Sequence, residues 1–269
     1  MNYNEQHELV RDRFTRTAEV FGSSVLKTRA AEAEILARMA QVKASDRAVD
    51  FACGTGALAM AFASRVQWVF GVDLTAAMLA VAQRDARESK VQNVAFTIGN
   101  AQNVPFADGS FDLALTSYAL HHVPDAAQVI SEMWRVLKPG GRVGVIDIYA
   151  PEERHRAEMH ERIERVRDPS HTRTLARSEL RALLAAKGLR VVGTHTEENA
   201  LTFDRWMHTA GREPGDPEYI ESRRLMEETI ADDLAGFRPR YNDSAAPGEN
   251  GAREIEMINP VVIVAAEKI

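Results

Sequence analysis

Small residues near position 50 have the spacing of a turn that can hold a cofactor. The segment joins an apolar run to a helical stretch that begins at Ala57. It consists of Asp50, Phe51, Ala52, Cys53, Gly54, Thr55 and Gly56. Small side chains let the backbone come close to a ligand, and the start of the next helix offers free N–H donors. Because an ordinary strand-to-helix turn has a similar composition, this segment alone does not establish a cofactor site.

A carboxylate at the end of the next apolar run gives a second signal. Asp73 follows residues 68–72, and its distance from Gly56 is close to the ~20 residues expected for an acid that binds a ribose. In a doubly wound sheet this position lies beside the glycine-rich turn, where a carboxylate can accept hydrogen bonds from both ribose hydroxyls. Asp73 could instead cap the helix that starts near Thr75. These two motifs suit a nicotinamide dinucleotide as well as other adenosine-containing cofactors.

The elements that position these residues alternate between short apolar strands and helices. Strands are predicted at residues 48–51, 68–72, 94–98, 111–116, 142–148, 189–192 and 260–266. Strand–helix alternation is typical of a parallel sheet with helices on both faces. Helices are predicted from Glu8 to Met39, with a break at residues 21–24. The Pro-Gly-Gly sequence at 139–141 predicts a turn before the fifth strand.

Three further segments indicate which of the possible cofactors the chain binds. They are residues 98–112, 119–125 and 134–143. With residues 50–56 and Asp73, they closely resemble the class I S-adenosylmethionine-dependent methyltransferases of the ubiquinone/menaquinone-biosynthesis type, the methyltransferase type 11 family. The resemblance implies an α/β, Rossmann-like sheet of seven strands, mostly parallel with an antiparallel last strand, with helices on both faces and a helical cap. It also implies S-adenosyl-L-methionine as cofactor and S-adenosyl-L-homocysteine as product.

The resemblance implies cofactor contacts position by position. Asp50 would orient the glycine-rich turn, Asp73 would hold the ribose, and Leu74 and Met78 would lie beside the adenine. The predicted cofactor-binding residues are Asp50, Ala52, Cys53, Gly54, Thr55, Gly56, Asp73, Leu74, Met78, Asn100, Ala101, Gln102, Thr116, Ser117 and His122.

The resemblance implies further contacts at both ends of the cofactor. Asn100 and Ala101 would read the adenine edge, and Thr116 and Ser117 would face the methionine end and the methyl group. Two positions differ from the family pattern, which commonly has Gly at Ala52 and Asp at Asn100. Alanine is still small, and an Asn side-chain oxygen can still accept a hydrogen bond from an amine. We therefore expect binding to be retained.

Histidines near the fourth strand are the candidates for chemistry on the methyl acceptor. A base helps when the acceptor is a hydroxyl or an acidic carbon, and imidazole is suited to this at neutral pH. The sequence predicts a catalytic role for His121 and a cofactor contact for His122. Residues 168–173 resemble a segment of bacterial relatives of this family, which implies a catalytic role for His171 and an anion-binding role toward the substrate for Arg173. In the alternative interpretation, His121 and His122 cap or pack a helix, and residues 168–173 form a structural loop.

The chain divides into three predicted segments of one compact domain. Residues 1–45 form an N-terminal helical cap, residues 46–150 the cofactor-binding core, and residues 151–269 the rest of the sheet with inserted cap helices. We expect the cap to determine which acceptor is used. His155 and His160, on the charged helix predicted at residues 151–167, are expected to be exposed to solvent.

Composition narrows the classes of partner. The formal net charge is −6 and the pI about 5.8, which argues against nucleic-acid binding. Cys53 is the single cysteine, so neither an intrachain disulfide nor a cysteine-based metal site can form, and no metal is expected. No apolar run is long enough to span a membrane and none resembles a signal peptide. The sequence therefore predicts a cytoplasmic protein, a monomer or homodimer, without a membrane or nucleic-acid partner.

Together these features predict an enzyme that moves a methyl group to an O- or C-nucleophile of a small molecule. A protein methyltransferase is the alternative within the same class. A nicotinamide-dependent oxidoreductase and a non-catalytic cofactor-binding protein are the alternatives from other classes.

Overall fold

Eight strands form one sheet in the computed structural model, which describes residues 3–19, 21, 26–245 and 253–269. The strands are β1 (Arg47–Phe51), β2 (Trp68–Asp73), β3 (Val94–Ile98), β4 (Phe111–Ser117), β5 (Leu137–Ile148), β6 (Leu189–Thr202), β7 (Arg240–Tyr241) and β8 (Ile255–Lys268). Their order is β3-β2-β1-β4-β5-β8-β6, and β7 pairs with β8. Strands β1 to β5 are parallel, whereas β8 runs antiparallel to β5 and β6. The predicted Rossmann-like sheet with an antiparallel last strand is confirmed.

The helices in the described residues cover both faces of the sheet. They are α1 (Tyr3–Thr17), α2 (Leu26–Met39), α3 (Ala57–Ala63), α4 (Ala76–Glu88), α5 (Ala126–Val136), α6 (Arg154–Arg167), α7 (Arg177–Ala186), α8 (Phe203–Thr209) and α9 (Pro217–Glu228). A short 3₁₀ helix, Leu120–His122, follows β4. The predicted break at residues 21–24 lies outside the described residues except for Phe21. No helix in the described ranges is long and apolar enough to cross a membrane.

Alternating strand residues divide the core into two layers. Phe51 and Val143 belong to the layer that includes α5 and α7. Ala48 and Ile146 belong to the opposite layer, which includes α2 and α3. Successive strand residues point to opposite faces, so each buried strand must be apolar on both sides. The apolar runs that predict the strands arise from this double burial.

The C-terminal half of the sheet differs from its prediction. The sequence predicts seven strands, and the eighth is the two-residue β7 in a polar stretch that continues into residues outside the described ranges. Strands β6 and β8 are also much longer than the predicted 189–192 and 260–266, because they pair over nearly their whole length. Polar residues alternate along β6 and hide it from a search for apolar runs. Strand β5 begins at Leu137, before the predicted turn, and a register shift opposite β4 accommodates the glycines.

The prediction that His160 is exposed to solvent is wrong. Its side chain on α6 is fully buried and its ring stacks on Phe237, with centroids 4.4 Å apart. Nδ1 lies 3.0 Å from the Ala235 carbonyl oxygen and donates to it, while Nε2 is buried without a partner in the described residues. Burial lowers the pKa of His160, although the charge of Glu164 opposes this. His155 on the same helix is exposed, as expected.

We predict that His160→Gln reduces the loss of stability at acidic pH. The unfolded chain binds a proton at His160 near the ordinary pKa of about 6.5, while the folded chain binds it only at lower pH. Below that pH, protonation of His160 in the unfolded chain therefore lowers the free energy of unfolding by up to ~1.4 kcal/mol per pH unit. Urea unfolding at pH 5, 6 and 7 measures the effect.

His155→Gln is the matched control on the same helix, because its side chain contacts solvent in both states. It should keep the wild-type dependence of unfolding free energy on pH. Equal pH dependence in His160→Gln and the wild type would contradict the prediction.

Candidate active site

The carboxyl ends of β1, β2, β3 and β4 meet at a cavity of about 970 Å³, a volume that includes space open to solvent. Neighbouring parallel strands end at the same edge of a sheet, so the segments that follow them converge there. Twelve of the fifteen residues predicted to bind the cofactor line this cavity. They are Ala52, Cys53, Gly54, Thr55, Asp73, Leu74, Met78, Asn100, Ala101, Gln102, Ser117 and His122.

The glycine-rich turn after β1 presents its backbone to the cavity. Ala52 and Gly54 both have left-handed backbone conformations, with φ of 51° and 53°. A Cβ on Gly54 would meet no atom within 4 Å, so this part of the turn borders open space. Ala52, where the family commonly has Gly, adopts this conformation at a cost of about 1 kcal/mol. The turn is therefore shaped to bring main-chain atoms close to a ligand.

The Asp73 carboxylate connects the tip of β2 to the glycine-rich turn. Oδ2 accepts from the Gly54 backbone N–H and Oδ1 from the Thr75 backbone N–H, each at 2.8 Å. Burial raises the pKa of Asp73, and the N–H groups of Thr75 and Gly54 oppose this. Thr75, not Asp73, is the N-cap residue of α4. Each carboxylate oxygen retains capacity to accept a further hydrogen bond from the cavity.

Three of the predicted cofactor residues lie behind the cavity wall. Asp50 is fully buried, neither of its oxygens has a hydrogen-bond partner in the described residues, and burial raises its pKa to about 8. A Cβ on Gly56 would lie 2.7 Å from the Phe96 ring, so this glycine is needed for packing. The Thr116 hydroxyl donates to the Phe51 carbonyl oxygen at 3.0 Å. These positions support the turn rather than border the cavity.

The turn after β3 forms the wall predicted to read the adenine. Asn100 Oδ1 accepts from the Gln102 backbone N–H at 2.9 Å, which fixes the turn. Gln102 Oε1 is buried without a partner in the described residues. Because buried polar atoms normally have partners, this oxygen is suited to bind a ligand donor.

Arg135, for which the sequence predicts no role, fixes the segment that follows the turn after β3. Arg135 on α5 donates to the carbonyl oxygens of Phe106 at 2.7 Å and Val104 at 3.2 Å. It also donates to both carboxylate oxygens of Glu132, at 2.8 and 2.7 Å. Since these bonds use most of its planar donors, Arg135 fixes the chain that continues from the turn after β3.

Helix α1 closes one side of the cavity. His7, Val10 and Phe14 line it, at the i, i+3, i+7 spacing of one helical face. The adjacent face contains the buried residues Gln6 and Arg13. The sequence predicts this helix only from Glu8 and does not distinguish its two inward faces. The apolar spacing of Val10 and Phe14 was the available signal, but such a stripe is equally typical of core packing.

A buried network joins α1 to the rest of the protein. Arg13 Nη1 lies 2.7 Å from Asp168 Oδ2 and donates to His122 Nε2 at 3.1 Å. His122 Nδ1 donates to the Ser170 carbonyl oxygen at 3.2 Å. Burial lowers the pKa of Arg13 to about 10, although Asp168 opposes this. Burial and the nearby His121 and Arg13 charges hold the pKa of His122 well below its usual range, so its imidazole is neutral.

The two predicted catalytic histidines do not line the cavity. His121 Nδ1 donates to Asp147 Oδ1 at 2.6 Å, and His171 Nε2 lies 3.2 Å from Glu161 Oε2. Burial alone would lower the pKa of His121, but the charge and hydrogen bond of Asp147 outweigh it and raise the value. Both rings lie near His122, with His121 4.2 Å away between centroids. Their catalytic role stays a prediction that this placement does not support.

Arg173 lies on a different surface from the cavity. Its exposed side chain pairs with Glu179 near the start of α7, in a groove between α6 and α7. The structure therefore does not bring it to the cofactor residues, and its predicted substrate contact is left without geometric support. Residues 168–173 lie in the segment that joins α6 to α7.

Two further residues line the cavity although the sequence predicts no role for them. Arg29 of α2 lies with its guanidinium carbon 3.6 Å from the centre of the Tyr118 ring, and it pairs with Glu32. The Tyr118 hydroxyl donates to Glu32 Oε1 at 2.6 Å. Tyr118, directly after β4, has a left-handed φ of 50°. A cation and a phenol thus border the end of the cavity next to Ser117.

Comparison with known proteins identifies the family. Residues 49–145 match the family model of a methyltransferase domain. The chain is 35% identical over 205 residues to the uncharacterized methyltransferase YcgJ of Bacillus subtilis strain 168, covering 76% of this chain and 81% of YcgJ. The chain belongs to this methyltransferase family. The predicted family and the S-adenosylmethionine cofactor that it uses are thereby confirmed.

The methyltransferase resembles its relatives in structure as well. The crystal structure of YcgJ from Bacillus subtilis superposes with a TM-score of 0.79 at 30% identity, covering 88% of this chain and 98% of YcgJ. A demethylmenaquinone methyltransferase of Lactobacillus johnsonii is 40% identical over 115 residues, which are 41% of this methyltransferase and 47% of that relative. The matched residues are thus less than half of each chain.

We predict that Arg13→Gln destabilises the methyltransferase by about 3–5 kcal/mol, because it leaves the Asp168 carboxylate buried without its cation. Arg16→Gln on the same helix is the control. Arg16 pairs with Asp12 at the surface, where an ion pair contributes about 0–1 kcal/mol. Urea unfolding of both variants measures the difference, and equal free energies of unfolding would contradict a structural role for the buried pair.

Proposed function

We propose that this methyltransferase transfers a methyl group from S-adenosylmethionine to an oxygen or carbon nucleophile of an uncharged small molecule. The observation that carries the proposal is one cavity that joins the predicted cofactor residues to an apolar space closed by α1. The first part fits the donor, and the second fits an acceptor.

The residues of the first part fit S-adenosylmethionine. Asp73 offers a carboxylate to the ribose, and the open face of Gly54 leaves room for the methionine part. Gln102 Oε1 is a buried acceptor without a partner in the described residues, next to the turn assigned to the adenine. Arg29 supplies a cation suited to the carboxylate of an amino acid. Each polar end of the donor therefore has a complementary group on this wall.

The second part of the cavity is suited to a small apolar acceptor. Val10 and Phe14 of α1 face it together with Val123 and Pro124 from the segment after β4. Apolar walls favour a ring or chain without charge, because a charged group would lose its hydration there. A protein substrate would need a groove open to a chain, and α1 lies across this side. Closure by α1 therefore favours a small molecule.

The donor supplies a methyl group bound to a positively charged sulfur, which is already a strong electrophile. The protein's own contribution is to place the acceptor in line and to exclude water. Ser117 and Tyr118 border the end of the cavity where the family resemblance places the methyl group. The rings of Phe14 and His122, with centroids 5.1 Å apart, form an adjacent wall that keeps the acceptor in the apolar part.

We predict that Asp73→Asn weakens binding of S-adenosylhomocysteine by about 10- to 100-fold, the loss expected when a charged acceptor of hydrogen bonds is removed. Titration calorimetry on the folded variant measures this affinity. Asp232→Asn, at an exposed position outside the cavity, is the control and should bind like the wild type.

The same titration separates the competing functions. Wild-type binding of S-adenosylhomocysteine without binding of NAD supports the proposal. Binding of NAD alone would overturn it, and equal affinity in Asp73→Asn would show that Asp73 does not hold the ribose.

A further inference from the structure

The histidines that the sequence singles out cannot readily accept a proton from a ligand in the cavity. His121 and His171 are not among the lining residues. His122 lines the cavity, but its Nε2 accepts from Arg13 and its Nδ1 donates to the Ser170 carbonyl oxygen. Both nitrogens are therefore occupied, and protonation of Nε2 would place a second cation against the Arg13 guanidinium.

His7 of α1 differs from these three histidines. Its half-buried side chain lines the cavity on the same helical face as Val10 and Phe14. Neither of its ring nitrogens has a hydrogen bond or an ion pair within the described part of the chain. It is thus an imidazole that borders the ligand space and has a nitrogen free to accept a proton.

Hydrogen bonds fix the position of His7 beside the end of β4. The neighbouring Gln6 side chain donates to the His122 carbonyl oxygen at 3.2 Å and to the Ser170 carbonyl oxygen at 2.6 Å. Residue 122 ends the 3₁₀ helix that follows the tip of β4. The first turns of α1 are therefore held against the segment that borders the apolar part of the cavity.

We propose that His7 is the general base for the methyl acceptor, an inference that rests on the proposed function. The O–H or C–H proton of the acceptor moves to an imidazole nitrogen of His7. The acceptor oxygen or carbon forms its bond to the methyl carbon as the carbon–sulfur bond breaks and leaves its electron pair on sulfur. The proton then passes from His7 to solvent at the half-exposed side of the ring.

The surroundings of His7 favour an acceptor that must lose a proton. The other titratable groups that line the cavity are Arg29, Asp73, Tyr118, His122 and Cys53. Tyr118 is held by Glu32, and Asp73 is held by backbone N–H groups at the cofactor turn. Among the described lining residues, His7 is thus the available proton acceptor beside the apolar walls. Phenols, catechols and hydroquinones combine an uncharged ring with a hydroxyl proton that must leave.

The experiment compares turnover of a panel of monocyclic phenols, catechols and 1,4-hydroquinones, measured as S-adenosylhomocysteine formed from S-adenosylmethionine. We expect His7→Ala to lower kcat by about 10²- to 10⁴-fold, the usual contribution of a general base. Affinity for S-adenosylhomocysteine, measured by calorimetry, should not change. Added imidazole should restore part of the lost rate in His7→Ala. His7→Gln, which keeps a polar side chain, should be as slow as His7→Ala.

His155→Ala is the control, because it removes an exposed histidine that is not among the lining residues, and it should keep the wild-type rate. Wild-type rates in His7→Ala would overturn the role of His7 while leaving the proposed function intact. The same holds if kcat falls without rescue by imidazole, since that indicates a structural role. If the wild type binds S-adenosylhomocysteine but methylates no member of the panel, the acceptor class is wrong and the role of His7 falls with it. Failure of the wild type to bind S-adenosylhomocysteine would overturn the proposed function itself.

Discussion

The Arg13 guanidinium and the Asp168 carboxylate lie 2.7 Å apart with almost no contact with water. Each charge would cost several kcal/mol to bury alone, so the two segments that carry them must meet. Arg13 also donates to His122, which ends the 3₁₀ helix at the tip of β4. One buried cation therefore aligns α1, the loop between α6 and α7, and the segment after β4. The shape of the cavity depends on that alignment, since Val10 and Phe14 lie on α1 and Val123 and Pro124 directly follow His122.

The cofactor half of the site could be predicted from sequence because its signals are local. Gly54 follows β1 and Asp73 ends β2, and neighbouring parallel strands end at the same edge of the sheet. His7 could not be found in this way, because the sequence does not show which side of an isolated helix will face a cavity. The burial of His160 also depends on distant residues, Ala235 and Phe237. Sequence patterns thus predict contacts between neighbouring elements and not those made by the cap.

Two of the six non-glycine residues with a positive φ in the described ranges lie where two adjacent strands end. Ala52 follows β1 and Tyr118 follows β4, and both have a positive φ although neither is glycine. Their strands pair directly in the sheet. Each left-handed residue turns the chain directly after its strand, and both residues line the cavity. Each costs about 1 kcal/mol or more, which the fully buried strands behind them can sustain. Two residues with a strained backbone therefore form part of the cavity wall.

The anchors of α1 lie far along the chain. Its polar contacts reach His122, Ser170 and Thr209, at separations of 109, 164 and 196 residues. Contacts between such distant positions close long loops and are slow to form relative to local ones. We therefore expect the sheet and its glycine-rich turn to assemble before α1 docks. During folding, the part of the cavity that holds the cofactor would form first and be open to solvent. The apolar part for the acceptor would be enclosed last, when α1 docks.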